Sequence, residues 1–285
     1  MSSASAPPVP ARGSPRDVAC DVLIPSFGRE GELAVTLAGL AAQQGTDFGV
    51  VIADQNDGHP GWEHPAVLAM VRVLRAQGRQ VRLERNLPRR GMAQQRSFLL
   101  GCSSAPRALF LDNDVWLEPG TLHRMGQALD WAGCGFIGAA VQGLSFLEDV
   151  RPVEQESFQV WDGPPQPERI RRNSPEFERW NLHNAANLVH IARRLGLPPG
   201  DWRLYKVAWV GGCVLFDRAK LDACGGFDFW PELPADHAGE DVVAQLRVME
   251  EFGGAGIIPS GAVHLESETT VTDRTTEAAD VVLDG

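Results

Sequence analysis

Short apolar runs alternate with longer segments of helical period through the first half of the chain. The runs ACDVLIPSF (19–27), FGVVIADQN (48–56), QVRLERN (80–86) and RALFLDND (107–114) are strand-like. Between them lie GELAVTLAGLAAQQG (31–45), PAVLAMVRVLRAQG (65–78) and MAQQRSFLLGC (92–102), and EPGTLHRMGQALDWAG (118–133) follows, each with apolar residues three or four apart. Gly45 and Gly78 close the first two helices. FIGAAVQG (136–143) reads as a further strand. Strands alternating with helices of this length predict right-handed βαβ units and a mainly parallel sheet flanked by helices, an α/β fold.

The rhythm breaks between 144 and 205. WDGPPQPERIRRNSP (161–175) is rich in Pro and Arg and reads as loop, and PEFERWNLHNAANLVHIARRLG (175–196) as one helix. The pattern resumes with a strand in KVAWVGGCVLFD (206–217), a helix in HAGEDVVAQLRVMEEFGG (237–254) and one last strand in GAGIIPSGAVHLE (254–266). The expected organisation is a leader at 1–17, rich in Ser, Pro and Ala and disordered, then one domain at 18–265 and an acidic, mobile tail at 266–285. Within the domain, an irregular and helical insertion at 144–205 separates a half at 18–143 from a half at 206–265. Long irregular insertions often serve as binding loops, so 144–205 is expected to act as a lid.

Composition narrows the function. The formal net charge of −11 argues against nucleic acid as a partner. No run of about 18 apolar residues is present, so no transmembrane segment is expected. The five cysteines lack any C-x-x-C spacing and read as reduced thiols in a cytoplasmic protein. Nearly all basic charge is Arg, with eight Arg and one acid, Glu84, between 72 and 96. That is either solvated surface charge or a place where an anion is met at close range.

Polar clusters fall at successive strand ends: Pro25-Ser26, Asp54 to Asp57, Asn86, and Asp112-Asn113-Asp114. Ligand crevices in open α/β sheets lie outside the carboxyl ends of the strands. Carboxylates there, beside Arg89, Arg90 and Arg96, suit a phosphate ligand bridged by Mn²⁺ or Mg²⁺.

In order, VLIPSFGR, IADQNDG, Asn86 followed by Gly91-x-Ala93, LFLDND, WVGGCVLFDRAKLDACGGFDFW, GEDVVAQLR and AVHL resemble a GT-A glycosyltransferase of family 2, over about residues 18 to 265. Pro88 and Ser97 depart from the family pattern. The resemblance makes 18–143 the nucleotide-binding half and 206–265 the acceptor and catalytic half, with 144–205 on the acceptor side. The resemblance implies metal-dependent, inverting transfer of one sugar from a nucleotide-sugar donor, UDP favoured, to an acceptor hydroxyl. The acceptor is a carbohydrate, a lipid-linked sugar or a small molecule. Peripheral membrane contact follows if it is lipid-linked, and a homo-oligomer is left open. The resemblance also places Pro25 and Ser26 under the base and Asp54 as acceptor of its hydrogen bonds. Asp112 would touch the ribose and metal-bound water, Asp114 would bind the metal, and His264 would complete the metal shell or meet the pyrophosphate. Arg29, Asn86, Arg96, Asn113, Gly211, Gly212 and Glu240 would complete the donor site, and Asp241 would be the general base.

Other readings of the same residues stand beside these. Asp54 suits an Asx-turn, Glu240 and Asp241 suit the first turn of a helix, and His264 suits a satisfied core position. Gly211 and Gly212 suit a bulge, and Trp180, Trp202, Trp209 and Trp230 suit the core, with one of them flanking the acceptor. A haloacid-dehalogenase-like phosphatase, whose nucleophile also lies in Asp-x-Asp after a strand, and a binding-only relative are the alternative functions.

Overall fold

Neighbouring residues of the first strand bury in different places, and this sets the architecture. A computed structural model describes residues 19–270 and 274–283, so the leader at 1–17 lies outside the described residues. In β1 (Cys20–Ser26), Val22 and Ile24 face one core and Leu23 the other. In β2 (Phe48–Asp54), Val50 and Ile52 face the first core while Val51 and Ala53 face the second. Strand side chains alternate between faces, so strands apolar at every position must be covered on both sides.

Helices supply both covers. α1 (Glu30–Ala41) and α2 (Pro65–Ala76) pack on the first face. On α1, Leu33, Leu37 and Leu40 are fully buried at helical spacing. The next strand, β3 (Val81–Arg85), is followed by α3 (Met92–Gly101), which packs on the second face through Ala93, Leu99 and Leu100. β4 (Arg107–Leu111) is followed by the short β5 (Val115–Leu117) and by α4 (Thr121–Ala132), back on the first face. Gly133 ends α4 in the left-handed region at φ 59°, with its N–H on the Leu129 carbonyl.

The remaining elements complete two sheets: β6 (Phe136–Gly138), β7 (Gln142–Gly143), α5 (Asn187–Leu195), β8 (Arg203–Tyr205), β9 (Cys213–Asp217) and α6 (Arg218–Ala223), then α7 (Glu240–Phe252), β10 (Gly254–Ile258), β11 (Ala262–His264) and α8 (Ala278–Val282). The large sheet runs β3-β2-β1-β4-β9-β6-β10-β8. β3, β2, β1 and β4 are parallel, as are β6 and β10, while β9 lies antiparallel between β4 and β6. The fold is therefore mixed α/β, with a mostly parallel central sheet between helices. A second sheet, β5-β11-β7, sits beside the carboxyl end of β4. No helix among the described residues is long and apolar enough to cross a membrane.

Several expected elements break where the backbone turns. Residues 254–266 form two strands in different sheets, divided by Pro259 and by Gly261 at φ 72°. The run at 136–143 likewise splits into β6 and β7. The expected helix over 175–196 is a 3-10 segment (Pro175–His183) and then α5, interrupted where Asn184 is extended and Ala185 takes φ 50°. In 206–217 only β9 is strand, because Gly212 turns at φ 78°.

Two larger expectations are corrected. The insertion at 144–205 is built into the body: Ile170, Leu182, Leu188 and Ile191 are at most 1% exposed, and β8 closes one edge of the sheet on β10. The tail is not mobile in its described part. Ala278 and Ala279 are buried, the Ala278 N–H reaches the Ala238 carbonyl at 2.8 Å, and the Ala238 N–H reaches the Thr276 carbonyl at 3.0 Å. Ala278 and Ala279 dock α8 beside α7, and Val282 and Leu283 pack against the same core.

At the β10–β8 edge, Gly256 pairs with Tyr205. A Cβ at Gly256 would lie 2.2 Å from the Tyr205 ring, which is fully buried. Overpacking of this kind costs about 1–3 kcal/mol. Gly256→Ala is expected to lower the denaturant midpoint accordingly. Gly163→Ala, with no atom within 4 Å of its new Cβ, is the control expected to leave it unchanged.

Candidate active site

The carboxyl ends of β1, β2 and β4 open onto a cavity of about 500 Å³. Its walls come from the turns after these strands, from α3, from the start of α7, and from the segment following β11. Pro25, Ser26, Arg29, Arg96, Asp112, Asn113, Asp114, Glu240, Asp241 and His264 all line it. The strand-end and GED motifs, distant in sequence, thus meet in one place.

On the donor side, the small sheet sets His264 opposite Val115 in register, next to Asp114. The Leu265 N–H bonds the Asp114 carbonyl at 2.9 Å. The Asp114 carboxylate is 4% exposed and is paired with the Arg29 guanidinium. Burial and the neighbouring charge of Asp112 push its carboxyl above the usual range, against His264 and Arg29. Arg29 itself takes a left-handed backbone (φ 59°) where α1 begins, a conformation costly for a side-chain-bearing residue.

The residues present suit a divalent cation at Asp114, because a cation, the Arg29 guanidinium, already stands at that carboxylate. No group of three or more His, Cys, Asp or Glu side chains among the described residues forms a full metal cage. Such an ion would therefore take most of its ligands from phosphate and water, as Mg²⁺-type sites commonly do. His264 fits less well as it stands. Its Nδ1 accepts the Glu266 N–H at 2.9 Å, so the neutral ring carries its hydrogen on Nε2, the nitrogen 3.5 Å from Asp114 Oδ2.

On the far wall, Arg96 reaches Glu240 Oε1 from Nε at 2.8 Å and Asp112 Oδ1 from Nη2 at 3.2 Å. Burial opposes its charge, but Asp112, Glu240 and Asp241 outweigh burial and hold it firmly protonated. Asp241 is half-buried on the cavity wall. Burial first, then the Glu240 charge, pushes its carboxyl up to about 7, with Arg96 pulling the other way. Among Trp180, Trp202, Trp209 and Trp230, Trp209 lines the cavity.

Some expected donor residues lie elsewhere. Asp54 is fully buried and off the cavity wall. Its Oδ1 accepts the Asn56 N–H and its Oδ2 the Gly61 N–H, both at 3.0 Å, with Arg85 Nε 3.9 Å away. It closes the 54–61 loop as an Asx-turn. Asn86 bonds Gln94 and Gln95 and pins α3 to the strand ends. Gly211 and Gly212 are also off this wall; the Gly212 carbonyl holds the Asp112 N–H at 2.9 Å, and a Cβ there would meet Val141 at 2.8 Å.

Other residues take those places. Gln55 lines the cavity at 3% exposure, and its Nε2 has no partner among the described residues. The same holds for the Ser26 hydroxyl at 2% exposure. Buried polar groups are nearly always hydrogen-bonded, so these two stand out among the groups on the cavity wall. His237, which also lines the wall, accepts the Ala93 N–H on Nε2 at 3.1 Å and so caps α3. Ser267, Thr269, Thr270, Arg274 and Glu277 bring the presumed tail into the site. Alternation along β2 was the available signal for Gln55, since adjacent residues point opposite ways.

The family model for glycosyl transferase family 2 matches residues 21–190. The chain belongs to glycosyl transferase family 2. The chain also resembles solved structures in fold. One is TarS residues 1–349 from S. aureus in complex with UDP-GlcNAc, at 14% identity, TM-score 0.58, covering 88% of this chain and 60% of that one. Another is the mannosyltransferase PcManGT from Pyrobaculum calidifontis in complex with GDP-Man and Mn²⁺, at 15% identity, TM-score 0.56, covering 90% of this chain and 59% of that one. The glycosyltransferase thus spans about three fifths of the length of these proteins. No curated protein matches it. The phosphatase alternative finds no support: the family match is to glycosyltransferases, and Asp112-Asn113-Asp114 follows the fourth strand of the chain.

Asp54 and Gln55 separate by experiment. Asp54→Ala leaves two buried N–H groups without acceptors, at about 1–3 kcal/mol each, and is expected to lower Tm. Gln55→Ala is expected to leave Tm nearly unchanged and to weaken nucleotide binding in calorimetry. Equal affinity for UDP and GDP in Gln55→Ala and wild type would remove Gln55 from the site.

Proposed function

We propose that this glycosyltransferase moves one sugar, with inversion, from a nucleotide-diphosphate donor to an acceptor hydroxyl, using Mn²⁺ or Mg²⁺ at Asp114. A UDP-sugar is the favoured donor. One observation carries the reading: a single cavity has a cation-bearing carboxylate, Asp114, on one wall and a carboxyl raised to about 7, Asp241, on another. The cavity's charge supports the cation. Among the described residues, five carboxylates and three guanidiniums line it, so an anionic diphosphate needs added positive charge. The neighbours in fold lend coarse support, since one was solved with UDP-GlcNAc and the other with GDP-Man and Mn²⁺.

The residues divide the work. Ser26 and Gln55 offer unpaired polar groups to the base, and Asn113 and Asp112 face the sugar-phosphate. Asp112 and Asp114 hold the cation, which when bound offsets the charge of the leaving diphosphate. Asp241 accepts the proton of the acceptor hydroxyl. The acceptor oxygen then bonds to the anomeric carbon as the bond to the diphosphate oxygen breaks, and the electron pair leaves with the nucleoside diphosphate. Arg96 holds Glu240 and Asp112 and keeps the Asp241 pKa from rising further.

Release of nucleoside diphosphate and sugar transfer, followed with Mn²⁺ or Mg²⁺, test the proposal. Asp241→Asn is expected to lose about 10²- to 10⁴-fold in kcat while keeping nucleotide affinity; Glu240→Gln should retain more turnover. Because the carboxylate is the working form, wild-type kcat should rise with pH and level off above an apparent pKa near 7. Undiminished turnover in Asp241→Asn, with the rising limb intact, would reject Asp241 as base. The same raised pKa has a second sign. A carboxyl titrating higher in the folded than in the unfolded state gives stability that is complete below its unfolded pKa and is lost as pH rises through its folded one. Asp241→Asn should therefore have a higher Tm than wild type at pH 8, and the gap should close at pH 4.

A further inference from the structure

Beyond β11 the chain turns back across the cavity mouth as a strap, residues 265–270. It is fastened at several points. The Ser267 hydroxyl bonds Glu32 at 2.9 Å, Glu266 Oε1 accepts the Ser145 N–H at 3.0 Å, and the Glu268 carbonyl accepts from Arg29. Arg29 is central: one nitrogen of its guanidinium is on Asp114 and the other is on Glu268 of the strap. Its side chain is 16% exposed and lines the cavity.

We infer that Arg29 and the divalent cation are exchange partners at Asp114, so that Arg29 passes from this carboxylate to the donor's diphosphate and frees the strap as the cation enters. The inference rests on the reading of Asp114 as the cation's carboxylate. The Asp114 oxygen that Arg29 holds, Oδ2, is also the one nearest His264. A dication arriving there meets a guanidinium already in place, and two cations cannot share that oxygen at low cost. Displaced, Arg29, whose side chain is 16% exposed, would be a largely buried charge without its partner, which is unfavourable. A diphosphate removes that penalty, because a guanidinium fork matches phosphate oxygens in two parallel hydrogen bonds.

A second observation points the same way. His264 holds the Glu266 N–H on Nδ1, so its Nε2 faces Asp114 with a hydrogen instead of a lone pair. For Nε2 to become a ligand, Nδ1 must give up the Glu266 N–H. Glu266 sits in the left-handed region at φ 59°, a strained conformation for a non-glycine residue. Letting go of Glu266 and of Glu268 loosens the strap at two neighbouring points. The fastened strap is therefore the cation-free arrangement.

Exchange makes the cation and the diphosphate bind cooperatively, with a coupling that belongs to Arg29. The test is Mn²⁺ binding followed by the free-ion electron paramagnetic resonance signal, with no sugar transfer involved. Wild type should bind Mn²⁺ weakly alone and more tightly with UDP or GDP present. Arg29→Gln should bind Mn²⁺ alone about tenfold more tightly, within the usual 5- to 150-fold range of site coupling, and gain less from the nucleotide. Amide hydrogen exchange in 265–270 should be faster in Arg29→Gln than in wild type. Asp114→Ala should lose Mn²⁺ binding in every condition. If Arg29→Gln shows the wild-type Mn²⁺ affinity and nucleotide effect while Asp114→Ala loses binding, the exchange is wrong and the cation site stands. If Asp114→Ala binds Mn²⁺ as wild type does, the cation site and the exchange both fall.

Discussion

A buried guanidinium holds the two halves of the site together. Arg96 comes from α3, Asp112 from the end of β4 and Glu240 from the first turn of α7, and Arg96 is 5% exposed between them. Taking the Arg96 and Glu240 charges out of water is expensive, and their mutual attraction offsets the cost only when each finds its partner; Asp112, partly exposed, adds a second partner at the rim. Geometry here meets that condition. The Arg96 guanidinium also lies 5.6 Å from the centre of the Phe110 ring, so its inner side is packed. Deleting either member of the buried Arg96–Glu240 pair leaves uncompensated buried charge, at about 3–5 kcal/mol. The electrostatic consequence reaches Asp241. Burial and two neighbouring carboxylates drive its pKa up, and Arg96 alone among the named causes of charge pulls it down. The position near neutrality is a balance, and Arg96 sets it. An arginine read from sequence as a donor contact is first of all the clamp that fixes where the acid groups stand and how strongly they hold protons.

The clamp has something to grip because of how the sheet changes direction. The parallel strands β1, β2 and β4 end together, and β9 then enters antiparallel to β4. Gly212 makes the turn into β9 in a left-handed conformation, and its carbonyl holds the Asp112 N–H. The chain before it cannot continue a ladder, so its backbone is satisfied by a side chain: Gln245 of α7 receives the Val210 N–H and donates to the Val210 carbonyl, both at 2.8 Å. The same helix therefore carries Glu240 and Asp241 and secures the loop that shapes the floor beneath them. The second sheet adds the other wall, because β11 pairs with β5 and so sets His264 beside Asp114.

Much of this was legible in the sequence, for physical reasons that differ by feature. Strands buried on both faces have to be apolar throughout, so 20–26, 48–54 and 107–111 stood out. Acids at a strand end have to face solvent or a ligand, so Asp112 and Asp114 were visible, as were the acids that open α7. What sequence did not show was which of two adjacent polar residues faces the ligand. Asp54 and Gln55 are equally plausible in DQNDG. The choice is made by the Gly61 N–H, seven residues on, which takes Asp54 Oδ2 inward and leaves Gln55 on the wall. Likewise, nothing local says that 254–266 divides between two sheets, since the division depends on β5 and β7 being present to pair with β11. The tail reads as solvated because it is acidic; the short apolar group Ala278, Ala279, Val282 and Leu283, broken by Asp280, is what docks it. The insertion misled in the opposite sense, because Pro and Arg at its surface concealed the buried Ile170, Leu182 and Leu188.

A wall of carboxylates around an anionic substrate is at first sight a poor design. It becomes intelligible once the cations are taken as mobile and the acids as fixed. Asp112, Asp114, Glu240 and Asp241 are mounted on a strand end and a helix start, rigid elements both, and Arg96 is locked among them. Arg29, on a turn, and Arg274, in the segment after the strap, are the guanidiniums least bound to the frame. A diphosphate without a dication meets net repulsion here, so on the proposed reading the site discriminates against the anion alone and accepts it as a cation complex. Arg96 bonds both Asp112 and Glu240, and Asp112 acts on Asp241, so positive charge added at Asp112 and Asp114 would bear on Asp241 as well. A dication adjacent to Asp241 would drag its pKa down and weaken it as a base. On the proposed reading, the raised pKa of Asp241 offsets that pull, so one cavity can hold a cation at Asp114 and a base that still works near neutral pH.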